Sequence, residues 1–209
     1  TAFYPGTFDP FTNGHLEVVR RAAAMFDSVY IGIGPNPDKA GKQWFSRQEN
    51  KKMIESCLKA AGITNVNVIC YDGLTVDCAH NLGARVLLRG VRDYKDIQSE
   101  LPLAWANSLL APSIPTVFLV PYVYINVSSS YVKALLREGA PVEKLSWTIP
   151  HNILQPLLNR YEKRGGRYQH RDKSPGFDGG ARTDMFENYS WPGRLRIPVS
   201  IQPKWCKAQ

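Results

Sequence analysis

Tyr4-Pro5-Gly6-Thr7-Phe8-Asp9-Pro10-Phe11-Thr12-Asn13-Gly14-His15 is the stretch that decides the fold of this 209-residue chain. The apolar pair Phe3-Tyr4 predicts a short buried strand, and the amphipathic pattern of residues 13–26 predicts a helix. The Thr7 hydroxyl follows the strand, and Gly14-His15 opens the helix. Because free backbone amides and the helix dipole favour anions at a helix start, the stretch predicts a phosphate site.

The alternation of strand and helix continues along the chain. Apolar runs predict further strands at 29–34, 67–71, 85–88 and 116–120. Helical patterns predict helices at 46–61, 75–82, 96–110, 128–138 and 150–164. Apolar strands that alternate with helices form parallel sheets covered on both faces. We therefore predict an α/β fold with a doubly wound, open, parallel five-stranded sheet.

The character of the chain changes after residue 164, so we predict a domain at 1–164 and a C-terminal extension at 165–209. Paired glycines and Pro-Gly steps punctuate the extension, which shows no clear periodicity. Residues 161–209 carry 10 Lys/Arg and 5 Asp/Glu, whereas residues 1–160 carry 16 and 13. Residues 161–209 thus carry +5 of the net charge of +8. The basic and aromatic residues of the extension leave one alternative open, a non-catalytic protein that binds nucleotides or RNA.

Composition and motifs argue against several other classes. No apolar stretch approaches the roughly 18 residues of a membrane helix, and the first residues lack a signal-peptide pattern, so we expect a cytoplasmic protein without a membrane partner. The four cysteines have no zinc-site spacing, and we expect free thiols, three of them in the core. The chain has neither a P-loop nor a Gly-x-Gly-x-x-Gly dinucleotide fingerprint.

The loops that follow the predicted strands all carry groups suited to phosphate. In open parallel sheets, ligands bind beyond the carboxyl ends of the strands. The planar guanidinium of arginine matches the geometry of phosphate oxygens. The alternative for the arginines is a solvated surface pair, and the alternative for the serines is a plain helix cap. Since no protein nucleophile is evident, the pattern favours group transfer by positioning and electrostatics. These groups are Thr7, His15, Lys39, Lys42, Arg89, Arg92, Ser128, Ser129 and Ser130.

Together these residues resemble a known family. Residues 4–15 are similar to the Thr/His-x-Gly-His signature of the nucleotidyltransferase superfamily, and specifically to that of bacterial phosphopantetheine adenylyltransferases. Later motifs follow in the family's order, so the resemblance covers about residues 3–162. It implies a Rossmann-like nucleotidyltransferase fold and direct transfer of the adenylyl group of ATP to 4′-phosphopantetheine, which yields dephospho-CoA and pyrophosphate. The later motifs are Arg89-Gly90-Val91-Arg92, Glu100, Asn107, Thr116-Val117-Phe118-Leu119 and Ser128-Ser129-Ser130.

The resemblance also implies roles for individual residues. Thr7 and His15 should contact the α-phosphate, and Lys39 should hold phosphates, with Lys42 as its competitor because the loop is longer here. The implied catalytic residues are His15, Thr7, Lys39 and Arg92. The implied ATP-binding residues are Thr7, Phe8, His15, Gly90, Arg92, Glu100, Ser128, Ser129 and Ser130. The implied phosphopantetheine-binding residues are Thr7, Lys39, Lys42, Leu74, Thr75, Arg89 and Asn107. Mg²⁺ bound with ATP and a homohexamer are implied as well.

One segment departs from the family pattern. Asp96-Ile97-Gln98-Ser99-Glu100 stands where the family typically has Asp-Phe-Glu-Tyr-Glu, which leaves the nucleotide preference open. A sister enzyme that acts on nicotinamide mononucleotide or glycerol phosphate is the alternative among transferases. It would be expected to have a shorter signature without the Pro-Phe-Thr-Asn spacing.

Overall fold

Five parallel strands form the centre of the structure, a computed structural model that describes residues 1–35 and 41–168. Each strand pairs in parallel with its neighbours, and their order is β3-β2-β1-β4-β5. The prediction of an open, parallel five-stranded sheet is confirmed. The strands are β1 (Ala2–Gly6), β2 (Val29–Ile33), β3 (Val66–Cys70), β4 (Val86–Gly90) and β5 (Thr116–Leu119).

Seven helices accompany the sheet in the described part of the chain, one more than predicted. The additional helix, α6, has seven residues, begins after Pro141 and lacks a side-chain cap, so its sequence signal is weak. α4 begins two residues earlier than predicted because the Asp93 side chain caps it by accepting from the Asp96 amide. The helices are α1 (Asn13–Met25), α2 (Arg47–Ala60), α3 (Thr75–Asn81), α4 (Tyr94–Leu110), α5 (Ser129–Arg137), α6 (Val142–Thr148) and α7 (His151–Lys163).

Alternate residues of the central strands pack into two separate cores. Tyr4 and Leu88 belong to the larger cluster, whereas their neighbours Phe3 and Leu87 belong to the smaller one. Because successive strand side chains point to opposite faces, the clusters lie on the two sides of the sheet. Residues of α1, α2 and α5 to α7 contribute to the larger cluster, and those of α3 to the smaller one. This is the doubly wound arrangement that was predicted.

The three described cysteines differ in burial. Cys57 is buried, but Cys70 and Cys78 are only half-buried at the core margin, so the prediction of three core cysteines is wrong; all three are free thiols. No helix within residues 1–35 and 41–168 is long and apolar enough to cross a membrane. The predicted boundary after residue 164 stays a prediction, since residues 169–209, which form most of the extension, lie outside the described residues.

Candidate active site

A cleft of about 470 Å³ opens at the carboxyl ends of β1 and β4. The chain winds from β1 through β2 to β3 on one side and then returns to place β4 on the other side of β1. The cleft therefore lies at the point where the strand order reverses, which is the position expected for ligands in this type of sheet. Residues from the loops after β1 and β4 and from the start of α5 line it.

Aromatic packing fixes the loop after β1. Phe8 has a left-handed φ of 49°, which is unusual for a residue with a side chain, and its buried ring packs edge-on against Tyr4. A Cβ on Gly6 would lie 2.7 Å from the Phe8 ring, so only glycine allows this approach. The constraint places Thr7, between these two residues, at the mouth of the cleft.

Thr12, Phe11 and Phe8 contact His15 at the start of α1. Thr12 is the N-cap, and its backbone N–H donates to Nδ1 of His15 at 3.0 Å in a reciprocal capping box. The imidazole stacks on Phe11 and meets the edge of Phe8. Because Nδ1 accepts this bond, a neutral His15 carries its proton on Nε2. The arrangement gives the ring one orientation and one tautomer, with Nε2–H as its hydrogen-bond donor.

The start of α5 lies beside the start of α1 in the lining of the cleft, and a Cβ on Gly14 would lie 3.2 Å from the Val127 carbonyl oxygen. Ser128 is the N-cap and accepts from the Tyr131 amide at 3.0 Å, while the Ser129 hydroxyl donates to the Pro10 carbonyl at 2.9 Å. The two hydroxyls thus hold the helix start in place. For Ser128 this agrees with the alternative prediction of a plain helix cap. The first-turn amides of Ser129 and Ser130 have no acceptor within the helix, which is the geometry of an anion site.

Arg89 points into the cleft from β4 but holds protein groups in this structure. Its Nε and Nη2 donate to the two Glu100 oxygens at 2.6 and 2.5 Å, and Nη1 donates to the Pro5 carbonyl at 2.8 Å. Burial acts to lower the pKa of Arg89, but the hydrogen bonds and negative charge of Glu100 raise it above the ordinary value. Arg89 and Glu100 therefore form a charged clamp that joins β1, β4 and α4.

Arg92 has a similar acidic partner that sequence reasoning missed. Its Nε and Nη2 donate to the Asp96 carboxylate at 2.8 Å each, and its backbone N–H donates to the same group at 3.0 Å. The spacing of four residues was the available signal. Among the described residues that line the cleft, two arginines are thus balanced by the Asp96 and Glu100 carboxylates.

Of the fifteen predicted site residues, eleven line the cleft, three do not, and one lies outside the described residues. Thr75 lies on the wall near Tyr71, whose hydroxyl is 3.0 Å from the Thr75 hydroxyl. Leu74 is half-exposed beside it, Asn107 lies on α4 and Lys42 is exposed, all outside the lining. Lys39 lies outside the described residues. The ligands assigned to these residues stay predictions. The eleven are Thr7, Phe8, His15, Thr75, Arg89, Gly90, Arg92, Glu100, Ser128, Ser129 and Ser130.

The described residues contain no cluster of three or more His, Cys, Asp or Glu side chains that could hold a metal. The acidic groups of the cleft, Asp96 and Glu100, are already engaged by arginines. Thr7 and the α5 serines add hydroxyl oxygens, which are hard ligands. This donor set suits a cation that arrives with phosphate oxygens better than a resident ion.

Comparison with known proteins gives the site its family context. The cytidylyltransferase-like family model matches residues 3–135. The phosphopantetheine adenylyltransferase of Lachnoclostridium phytofermentans is 41% identical over 159 residues, which cover 76% of this chain and 93% of that protein. The proteins of the same name from Alkaliphilus oremlandii and Prochlorococcus marinus are each 37% identical over 77% of this chain, and the matches cover 98% and 97% of those proteins.

Solved structures support the fold. A bifunctional NMN adenylyltransferase/ADP ribose pyrophosphatase from Francisella tularensis superposes with a TM-score of 0.56 at 19% identity, over 77% of this chain and 51% of that one. The nicotinic acid mononucleotide adenylyltransferase of Plasmodium falciparum superposes at 0.50 with 13% identity, over 80% and 98% of the two chains. At such identities the likeness concerns the Rossmann-like fold alone.

Proposed function

We propose that this chain, which belongs to the phosphopantetheine adenylyltransferases within the cytidylyltransferase-like family, transfers the adenylyl group of ATP to 4′-phosphopantetheine. The products are dephospho-CoA and pyrophosphate. One observation carries the proposal: Thr7, an oriented His15 and the start of α5 line one cleft at the switch point of the sheet. That geometry supplies several hydrogen-bond donors for the phosphate oxygens of one ligand.

The reaction needs no protein nucleophile. A phosphate oxygen of the acceptor attacks the α-phosphorus of ATP, the bond from that phosphorus to the bridging oxygen breaks, and pyrophosphate leaves with the bond's electrons. Negative charge builds on the α-phosphoryl oxygens and on the leaving group. Nε2–H of His15 and the Thr7 hydroxyl donate to the α-phosphoryl oxygens, and these bonds strengthen as charge develops. Their rigid placement lowers the barrier because no donor has to reorganise.

The ATP side of the cleft lies between β4 and α5. First-turn amides of Ser129 and Ser130, with the Ser130 hydroxyl, donate to the outer phosphates. Arg92 adds a guanidinium to the same region while Asp96 fixes its orientation. Gly90 lines the same region at the end of β4, where a Cβ would lie 3.2 Å from Val18. The Glu100 carboxylate, held by Arg89, faces the ribose.

The acceptor side of the site is formed by residues of α3, α4, β4 and the loop after β2. Thr75 and Leu74, at the start of α3, and Asn107, on α4, contact the pantetheine arm. Arg89, with Lys39 or Lys42 from the loop after β2, binds its phosphate.

Mg²⁺ is the cation that we propose to accompany ATP. The arginines and carboxylates that line the cleft cancel in charge, so a triphosphate needs positive charge from elsewhere. When bound, Mg²⁺ would neutralise negative charge on the phosphates and on the leaving pyrophosphate. The Thr7 and serine hydroxyls are the protein oxygens that would accompany it.

Pyrophosphate release tests the function directly. The full chain is incubated with ATP and Mg²⁺ and, in separate reactions, with phosphopantetheine, nicotinamide mononucleotide or glycerol phosphate. We expect release with phosphopantetheine and a product with the mass of dephospho-CoA. Release with one of the other acceptors instead would assign the chain to a sister activity. No release with any acceptor would overturn the proposal.

We further propose a cytoplasmic oligomer, and a hexamer in particular. The free thiols Cys57, Cys70 and Cys78 suit a reducing compartment. α4 presents Leu101, Trp105, Leu109 and Leu110 at 51–67% exposure, an apolar face that a second copy of the chain would cover. Light scattering of the native protein and of a Trp105→Glu variant tests this assembly. A monomeric native protein would contradict it.

A further inference from the structure

Asp9 is a buried carboxylate to which the mechanism assigns no role. Only 5% of its side chain is exposed. It accepts hydrogen bonds from the Trp44 amide at 3.0 and 3.1 Å and from the Phe45 amide at 3.0 Å. Lys133 of α5 donates to its Oδ2 at 2.6 Å, with 14% of the lysine side chain exposed. Asp9 is therefore a junction between three separate parts of the chain.

Stability alone does not account for such a pair. Removing two charges from water costs several kcal/mol per ion, and well-packed apolar replacements are often neutral or stabilising. A buried ion pair can fix one geometry of the surrounding chain even where it adds little to the free energy of unfolding. The relevant question is which parts of the active site the Asp9–Lys133 pair holds in register.

The pair joins the two adjacent helix starts that line the cleft. Asp9 lies two residues after Thr7 in the loop that leads to His15. Lys133 lies one helical turn after Ser129, whose hydroxyl donates to the Pro10 carbonyl at 2.9 Å. Side chains four residues apart share a helix face. α5 is thus tied to the loop after β1 at two successive turns, which fixes both its distance and its direction.

The third part of the chain at this junction is the segment that contains Trp44 and Phe45. Nζ of Lys133 also lies 5.2 Å from the centre of the Trp44 ring, and this ring stacks on Tyr161 of α7. The Trp44 and Phe45 amides are thereby held on Asp9 two residues after Lys42, a candidate phosphate ligand. One carboxylate sets the placement of a loop end, a helix start and the loop after β1.

We propose that Asp9 and Lys133 are positioning residues for adenylyl transfer: their ion pair sets the donors of Thr7 and His15 against those of the α5 start. The inference rests on the proposed function only in naming the ligand as ATP. It predicts that the starts of α1 and α5 both contact one triphosphate and that the ion pair fixes the distance between these two helix starts. Loss of the tie therefore weakens ATP binding and slows transfer even when the fold is intact.

The test compares Asp9→Asn, Lys133→Met and the double variant with the wild type in the full chain. Each single variant leaves one buried charge without this counter-ion and is expected to lower Tm. In the double variant both charges are gone, so Tm returns towards the wild-type value. We expect the double variant still to bind ATP about 10-fold more weakly and to turn over about 30-fold more slowly, because the tie is absent.

A merely structural pair gives a different result. ATP affinity and kcat would then recover together with Tm, and a double variant within twofold of wild type in both would overturn the proposal. Calorimetric titration of ATP needs no acceptor, so this arm remains decisive even if the protein fails to adenylate phosphopantetheine. Lys51→Met/Glu55→Gln, which removes an exposed ion pair of α2 at 3.8 Å, is the control and should leave all three quantities unchanged.

Discussion

Replacing His15 separates its catalytic hydrogen bond from its structural one. Nδ1 accepts the Thr12 N–H as part of the helix cap, whereas Nε2–H is the donor assigned to the α-phosphoryl oxygens. His15→Ala removes both. In His15→Asn the side-chain oxygen occupies nearly the position of Nδ1, so it can still accept from Thr12, but nothing reaches the position of Nε2. The pair of variants therefore isolates the catalytic bond.

The expected magnitudes follow from these two roles. Loss of a preorganised donor to a developing oxyanion costs about 10²- to 10³-fold in kcat. Loss of a side chain from a capping box costs about 0.5–2 kcal/mol of stability. His15→Ala also removes a ring packed between Phe8 and Phe11, which adds to the stability loss. We expect both variants to lose kcat similarly, but His15→Asn to retain more of the unfolding free energy.

The assay measures kcat from pyrophosphate release, ATP affinity from calorimetry and stability from urea unfolding. ATP affinity should change by less than about fivefold in both variants, since a bond that strengthens in the transition state contributes less to ground-state binding. Equal losses of ATP affinity and kcat would refute the assigned role. A His15→Asn variant with near wild-type turnover would show that Nε2–H is dispensable.

Three further predictions follow from the same geometry. Gly14→Ala should destabilise the protein by about 1–3 kcal/mol in denaturant unfolding and weaken ATP binding, because its Cβ would lie 3.2 Å from the Val127 carbonyl oxygen; unchanged values would contradict the close approach of α1 to the segment before α5. Burial raises the pKa of Cys57 to about 12, so peptide mass spectrometry at pH 8 should find it alkylated by iodoacetamide only after unfolding, and rapid native labelling would contradict this. Truncation after Tyr168 keeps the hydrogen bond that its hydroxyl donates to the Ala140 carbonyl at 2.5 Å. If residues 1–164 are a self-sufficient domain, the truncated protein should keep its transfer rate within about twofold and its Tm unchanged. An inactive but folded truncation would contradict the boundary.

The sheet and the place of the cleft were predictable because they depend on local patterns. Apolar strands that alternate with helices leave few arrangements open, and ligands in such sheets gather at the strand ends. The starts of α1 and α2 were also predictable. At the start of α2, Ser46 and Glu49 form the reciprocal cap that their spacing predicts. Short α6 was missed because seven residues after a proline carry little periodic signal.

Pairings between distant residues were not predictable from one sequence. Asp9 and Lys133 are 124 positions apart, and nothing in either neighbourhood marks them as partners. Glu100 was expected beside a ribose, and its bidentate bond to Arg89 depends on how α4 lies over β4. Lateral packing of this kind follows from the whole fold, whereas the helix caps follow from three or four residues.

The paired charges of the cleft explain how a nearly neutral site can act on a highly charged substrate. Arg89 and Arg92 each have a carboxylate at hydrogen-bond distance, so their charge adds little to the attraction of free ATP. Tighter binding of the ground state would not raise kcat, because only contacts that strengthen in the transition state do so. The carboxylates instead hold each guanidinium in one orientation before the substrate arrives. The helix starts of α1 and α5 present backbone donors that cannot reorient at all. Catalysis by this chain is therefore expected to depend on the register between these fixed groups, which is the quantity that Asp9 and Lys133 control.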